Sequence, residues 1–118
     1  MRTAGRVEVH VDASDEVRAL PFPPLILLTL VENAVTHGIE PRPGSGIIAI
    51  IAGTADGFLS VSVEDNGRGL QPGTTPGLGL ANLRAQLRDR FGTSARFDIA
   101  SRAAGGVRAR IHLPLPSP

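Results

Sequence analysis

The sequence has no cysteine, no tryptophan and no tyrosine, and all twelve of its strongly basic residues are arginine, so it has no lysine either. Each gap removes a class of chemistry. Without cysteine there is no disulfide framework, no thiolate zinc site and no thiol nucleophile, and cysteine usage gives no sign of redox compartment. Without lysine there is no P-loop, whose lysine reaches the terminal phosphates of a nucleotide. Phe22, Phe58, Phe91 and Phe97 are the whole aromatic stock, a thin set of stacking surfaces that disfavours nucleic acid as a partner. No apolar run approaches the roughly 20 residues of a membrane span. The opening Met1 to Arg6 lacks the apolar block of a secretory leader. The piece should therefore be soluble, with no membrane contact of its own.

What is present fits one folded domain. The 118 residues, 42% of them hydrophobic, suffice for one core but not for two. Fourteen glycines and ten prolines are scattered without repeat and call for many turns. The net charge of +1 conceals an asymmetry. Residues 1–65 hold nine acids against four arginines, and residues 66–118 hold eight arginines against two acids. A basic half attracts phosphates, although an ordinary solvated surface has the same composition.

Hydrophobic periodicity orders the elements. Val7, Val9 and Val11 alternate with Glu8, His10 and Asp12, the pattern of a half-buried strand. Prolines at 21, 23 and 24 lead into an apolar helix expected over Pro23–His37, stopped by Gly38 and Pro41. On it, Thr29, Asn33, Thr36, His37 and Glu40 form a polar stripe, with Leu27, Leu28, Val31, Ala34 and Val35 expected on the buried side. Ile47–Ala52 is apolar on both faces and reads as a well-covered strand. Asp56-Gly57 turns it into a hairpin with Phe58–Asp65. A loop over Asn66–Pro76 precedes a second helix, Leu78–Phe91, with Leu80, Leu83, Leu87 and Phe91 on one stripe. Two alternating strands, around Ala95–Ile99 and Val107–Leu113, flank a Gly105-Gly106 turn, and Pro114 to Pro118 should fray. Strands with one apolar face and two amphipathic helices predict a two-layer α/β sandwich: one sheet with its helices on a single face.

Three features could carry chemistry. Leu59, Val61, Val63 and Asp65 share one strand face, so Asp65 ends an apolar row at the rim of the core. A carboxylate there needs a donor. An exocyclic amine of adenine would serve, and so would backbone N–H groups of the Gly-rich turn that follows. Asn33 offers an amide oxygen, a suitable hard ligand for magnesium, though a solvated helix face would look the same. His37 by itself reads as a surface or helix-capping histidine. Gly67, Gly69, Gly77 and Gly79 frame a loop, and Gly77-Leu78-Gly79 runs straight into a helix whose free N–H groups can meet phosphates without lysine.

The order and spacing of these features resemble the ATP-binding domain shared by histidine kinases, gyrase-type ATPases and mismatch-repair ATPases, the GHKL or Bergerat-fold superfamily. Leu30 to Gly38 (LVENAVTHG) is similar to its N box, Asp65-Asn66-Gly67-Arg68-Gly69 to its G1 box and Gly77-Leu78-Gly79-Leu80 to its G2 box. Gly105-Gly106 stands where the family's last glycine turn enters the final strand. The stretches PFPPLILLTLVENAVTHG and GLGLANLRAQLRDRFG are similar to those of LytS/YehU-like sensor histidine kinases.

The resemblance implies a Bergerat fold, with a mixed, mainly antiparallel sheet, and a single ATP-binding catalytic domain over 1–118. Its cofactors would be Mg2+ and ATP or ADP. It implies that Asp65 recognises adenine and that Asn33 holds magnesium. Gly67 and Gly69 would let backbone approach the nucleotide, while Gly77, Leu78, Gly79 and Leu80 meet the phosphates. His37 would lie beside the nucleotide, and Glu32, about 100° round the helix from Asn33, would flank the catalytic centre. The γ-phosphoryl group would pass to a histidine on a separate dimerisation segment and from there to a response regulator. The location implied is the cytoplasmic part of a membrane-anchored sensor.

The chain departs from the family in ways that bear on activity. Thr36 stands where lysine is usual, Leu28-Thr29 replaces a Gln-Pro pair, Gln86 replaces an arginine, and Val107 replaces a threonine after the last glycine turn, while Asn82 and Arg84 fit. Thr29 also occupies the place of the glutamate base of the hydrolysing members, so efficient ATP hydrolysis is not expected. None of His10, His37 and His112 resembles a phospho-acceptor, so this piece should bind ATP without phosphorylating itself. A serine kinase of the anti-sigma-factor type, and a nucleotide-binding module without transferase activity, are the alternatives.

Overall fold

A computed structural model of the chain describes residues 2–3, 7–35, 46–67 and 78–115. In chain order the elements are β1 (Arg2–Thr3), β2 (Val7–Asp12), α1 (Asp15–Arg18), α2 (Pro24–Asn33), β3 (Gly46–Ala55), β4 (Phe58–Asp65), α3 (Leu78–Phe91), a 3-10 turn at Gly92–Ser94, β5 (Arg96–Ser101) and β6 (Val107–Pro114). The described strands form one sheet in the order β1-β2-β3-β4-β6-β5. All neighbours are antiparallel except β2 and β3. A parallel pair needs a crossover connection, and α1 and α2 lie on it. The sheet is thus mixed and mainly antiparallel, as expected.

β3 and β4 form the central hairpin, in register from Ala55↔Phe58 to Ile48↔Asp65. Its turn residues Asp56 and Gly57 have φ of 53° and 82°. Two left-handed residues give the turn whose twist matches the flanking strands, and Asp-Gly is a favoured pair for it. β6 lies on the other side of β4, pairing Phe58↔Pro114 through Glu64↔Arg108. Pro114 therefore belongs to the strand rather than to a frayed tail. The Leu115 N–H extends the ladder by donating to the Gly57 carbonyl at 2.9 Å.

One face of the sheet carries the core. Val7, Ile48, Val63, Ala109, Ile111 and Leu113 from the strands meet Ile26, Leu30 and Ala34 from the first long helix and its extension, and Leu83 and Leu87 from α3. The α3 stripe matches the expected spacing at Leu83, Leu87 and the partly buried Phe91; the Leu80 side chain lies outside the described residues. Arg84 of α3 lies over the Phe97 ring of β5, 4.6 Å from its centroid, adding a cation–π contact between the layers.

The α2 face differs from expectation. Ile26, Leu30 and Ala34 face the sheet, whereas Leu28, expected inside, is 50% exposed. The cause is the helical period: residues four apart from Leu30 share its row, and Leu28 lies about 200° away. α2 opens with Pro24 at its first position and ends at Asn33, with Ala34 and Val35 continuing it in a wider π-type turn. The rest of the expected helix, Thr36 and His37, lies outside the described residues. β3 is not covered on both faces either. Ile48 is fully buried, but Ile47 and Ile51, on the face opposite the core, are 43% and 36% exposed.

Two short elements escaped the sequence reading: β1 and the single turn α1. The latter does carry a signal, because Ser14 caps it by accepting from the Val17 N–H at 3.2 Å, ahead of Asp15 and Glu16 in the first turn. Among the described residues no helix is long and apolar enough to cross a membrane.

The burial pattern sets an expectation for stability. Leu30→Ala should lower the unfolding free energy by about 2–5 kcal/mol, while Leu28→Ala should change it by no more than about 0.5 kcal/mol. Urea denaturation of both variants checks this, and equal losses would mean that the helix faces are misassigned.

Candidate functional site

The row Leu59, Val61, Val63, Asp65 is buried along its whole length, and Asp65 itself is only 3% exposed. Period-two alternation requires its side chain to share the face of Val63, which packs into the core beneath α2 and α3. A carboxylate there loses its hydration and must find donors. It finds two in the backbone. Gly67 N–H donates to Asp65 Oδ1 at 2.8 Å, and Val107 N–H donates from the start of β6. Burial still pushes the carboxyl above its ordinary value of 3.8, against the lowering effect of Gly67, Val107 and the Arg102 charge. The turn-capping role considered for Asp65 is thus realised at Gly67. A carboxylate has about four lone-pair sites, so two N–H bonds leave it able to accept another donor.

The neighbouring residues hold this strand end in place. Asn66 N–H donates to the Ile47 carbonyl at 3.2 Å, and Ile47 N–H donates to Asn66 Oδ1 at 2.8 Å. The β3–β4 ladder is thereby carried one step past its last strand pair. From the other side the β5–β6 turn crosses close to Asp65. Gly105 and Gly106 have φ of 103° and 90°, and a Cβ on Gly106 would overlap the Asp65 carbonyl. Glycine is needed at 106 both for its left-handed backbone and for this close approach. Arg102 Nη1 donates to the Asp65 carbonyl at 2.8 Å.

Asn33 ends α2 on the helix-bearing side of the sheet, the side that Asp65 faces, and it is half-buried. Among the described residues its amide has no hydrogen-bond partner. Glu32, one residue earlier, is exposed. Gly67 is half-buried beside Asp65, and Leu78, Gly79 and Leu80 form the first backbone turn of α3, as expected. His37, Gly69 and Gly77 lie outside the described residues.

Among the described residues no three His, Cys, Asp or Glu side chains gather as a metal site. The Asn33 amide oxygen, together with phosphate oxygens and water, is a donor set that suits magnesium. An open groove of about 540 Å³ lies on the opposite sheet face, lined by Ile51, Phe58, Ser62, Arg96, Arg110 and His112 among others. There Arg110 Nε donates to Ser62 Oγ at 3.1 Å. This groove is on the face away from the Asp65 side chain and contains none of the candidate nucleotide-binding residues.

Three contributors were missed in the sequence. Asn66 was noted only as part of a motif, and its role depends on pairing with residue 47. The Val107 N–H leaves no trace in residue identity, because every residue but proline has one. Arg102 is one of eight arginines in its half of the chain, and nothing local distinguishes it.

Comparison with known proteins shows the family. Residues 23–117 match the family described as histidine kinase-, DNA gyrase B-, and HSP90-like ATPase. The chain is 34% identical over 114 residues to the sensor histidine kinase YesM of Bacillus subtilis, covering 92% of this chain and 20% of that protein. It is 31% identical to the sensor histidine kinase BtsS of Escherichia coli K12, covering 96% and 20%. It thus spans about a fifth of the length of these relatives. Among solved structures, the histidine kinase domain of the Erythrobacter litoralis EL346 blue-light activated kinase superposes with a TM-score of 0.72 at 26% identity, covering 94% of this chain and 57% of that one. A family match over most of the sequence, relatives that are sensor histidine kinases and a shared fold lead to one conclusion: this chain belongs to the histidine kinase-, gyrase B- and HSP90-like ATPases, as an ATP-binding domain of the sensor histidine kinase kind.

Proposed function

We propose that the chain binds Mg-ATP between β4 and α2 and donates the γ-phosphoryl group to a histidine on a separate dimerisation segment, in two-component signalling. The observation that carries this reading is the Asp65 carboxylate, buried at the inner end of β4 with acceptor capacity left over. Adenine's exocyclic amine is a donor of the right kind, and an acceptor that is already desolvated discriminates strongly against a base without it. Asn33 supplies an amide oxygen for magnesium. The first turn of α3, at Leu78, Gly79 and Leu80, presents N–H groups to the phosphates, and the family resemblance adds Gly77 to these contacts, Gly67 and Gly69 as the glycines that admit the nucleotide, and His37 as a further nucleotide contact. Magnesium, when bound, would neutralise charge that builds on the phosphates during transfer. The protein's own contribution is positioning: Asp65 fixes the base, α3 fixes the phosphates, and Glu32, beside Asn33 in sequence, flanks the catalytic centre.

The membrane sensor, the dimeric parent, the cytoplasmic setting and the response regulator belong to this proposal and rest on the family resemblance. A second reading, a nucleotide-binding module without transfer, is favoured by Val107, whose side chain offers no hydrogen bond near Asp65.

Mg-ADP should raise the melting temperature, because a ligand of the folded state alone stabilises it. Asp65→Asn should remove most of that shift, and Asn33→Ala should weaken its dependence on magnesium. An unchanged shift in Asp65→Asn would overturn adenine recognition by this residue. Incubation with ATP and a dimeric histidine-bearing segment should yield phosphohistidine; binding without transfer would establish the second reading.

The Asp65 carboxyl carbon, followed by NMR, should titrate above 3.8 in the unliganded protein. The sign follows from linkage. A carboxyl with a raised folded value contributes stability that is fully present below its unfolded value and is lost as pH rises through the folded one. Mg-ADP should lower the midpoint, because the adenine amine adds a donor to the ionised form. A midpoint unmoved by ADP would count against that contact.

A further inference from the structure

The last β-hairpin does more than close the sheet. The β4–β6 ladder ends at the pair Glu64↔Arg108 and the β3–β4 ladder at Ile48↔Asp65. The Asp65 carbonyl thus sits where strand pairing stops and needs a donor from elsewhere. That donor is Arg102, whose Nη1 lies 2.8 Å from the Asp65 carbonyl and 3.3 Å from the Gly105 carbonyl. Its Nε lies 3.4 Å from Glu64 Oε1, in an ion pair whose side chains are 29% and 20% exposed. One planar guanidinium therefore spans the end of β4 and the turn that precedes β6. Two further bonds fix the turn itself: Arg102 N–H to the Gly106 carbonyl at 2.9 Å and Gly105 N–H to the Arg102 carbonyl at 3.0 Å. Beyond the turn comes Val107, whose only donor is its backbone N–H, the group that bonds the Asp65 carboxylate.

We propose that Arg102 is a positioning residue for base recognition: by tying the β5–β6 turn to the Asp65 carbonyl, it holds the Val107 N–H against the Asp65 carboxylate and so fixes the direction of the remaining acceptor lone pairs. The inference rests on the reading of Asp65 as the adenine acceptor. The physical reason is the turn's composition. Two consecutive glycines with positive φ have the most conformational freedom to lose and no side chain to pack, so the height of this turn over β4 depends on the bonds that anchor it. A side chain at 107 with its own donor could reach the carboxylate from several backbone positions. Valine cannot, and the N–H is useful only if the turn stays put. Arg102 touches neither base nor phosphate in this account; it acts through Asp65.

The test compares two probes, Mg-ADP and the magnesium complex of purine riboside diphosphate, which lacks the exocyclic amine. Calorimetric titration of the whole chain should show the wild type preferring ADP by at least about tenfold, the scale of one hydrogen bond to a charged group. Arg102→Met keeps the apolar stem and removes the guanidinium. It should weaken ADP binding by about tenfold, leave the analogue nearly unaffected and bring the preference close to one. Arg102→Lys should restore part of it, since an ammonium can reach the Asp65 carbonyl but cannot span both carbonyls and Glu64. Equal losses for both nucleotides, or no loss for either, would overturn the proposal, because a merely structural arginine has no reason to distinguish the two bases. Should Arg102→Met fail to fold, Arg102→Lys and Glu64→Gln carry the same comparison, each expected to narrow the preference; an unchanged preference in both would overturn it as well. Asp65→Asn separates the two claims. If it keeps the preference for ADP, the adenine reading itself fails. If it abolishes the preference while Arg102→Met retains it, only the role of Arg102 fails.

Discussion

A carboxylate at the end of an apolar strand face cannot be left without donors, and the arrangement around β4 follows from that requirement. Asp65 is buried as deeply as the valines before it, and burial alone would favour its neutral form. The fold answers with backbone N–H groups from two directions, Gly67 just after it in sequence and Val107 some forty residues later, and with a guanidinium charge nearby. The cost is met only partly: the carboxyl still titrates high. An acceptor held in this state, desolvated yet not saturated, has more to gain from an incoming donor than an exposed one would.

The strands beside β4 act as its supports. On one side β3 is locked to it by the Asp-Gly turn at one end and by the paired bonds between Asn66 and Ile47 at the other. On the other side β6 arrives from a turn whose second glycine, Gly106, passes so close to the Asp65 backbone that no side chain fits there. Packing from α2 and α3 falls on the same sheet face, the one that Asp65 shares, through Ile26, Leu30, Leu83 and Leu87. The core residues of α2 and α3 fix where those helices lie on the sheet, and with them the positions of Asn33 and of the first turn of α3. The apolar row of β4 thus ends in the polar group on which the proposed site is built.

Much of this was legible in the sequence. The alternation in Phe58–Asp65 placed Asp65 on the core face without any structure, because a period of two leaves no other choice once the valines are assigned. The Asp-Gly hairpin, the α3 stripe and the double-glycine turn were equally local signals. Errors arose where local pattern was silent on neighbours. Ile47 and Ile51 looked as buried as Ile48, since composition cannot tell whether a second layer covers a strand. Leu28 and Leu30 look alike as residues, and only the packing of α2 on the sheet shows which of them faces inward.

Sequence by itself determined the order of the main elements, the inward face of β4 and the candidate residues for a base, a metal and phosphates, because these depend on spacing along the chain and on side-chain chemistry. Tertiary structure alone decided that the Val107 N–H also serves Asp65, that Asn66 answers to Ile47, and that Arg102 among eight similar arginines is the one tied to Asp65. Those partners lie between 19 and 42 residues apart in the chain. Hydrogen bonds over such separations are fixed by strand register and by the height of a turn, quantities that no single stretch of sequence contains.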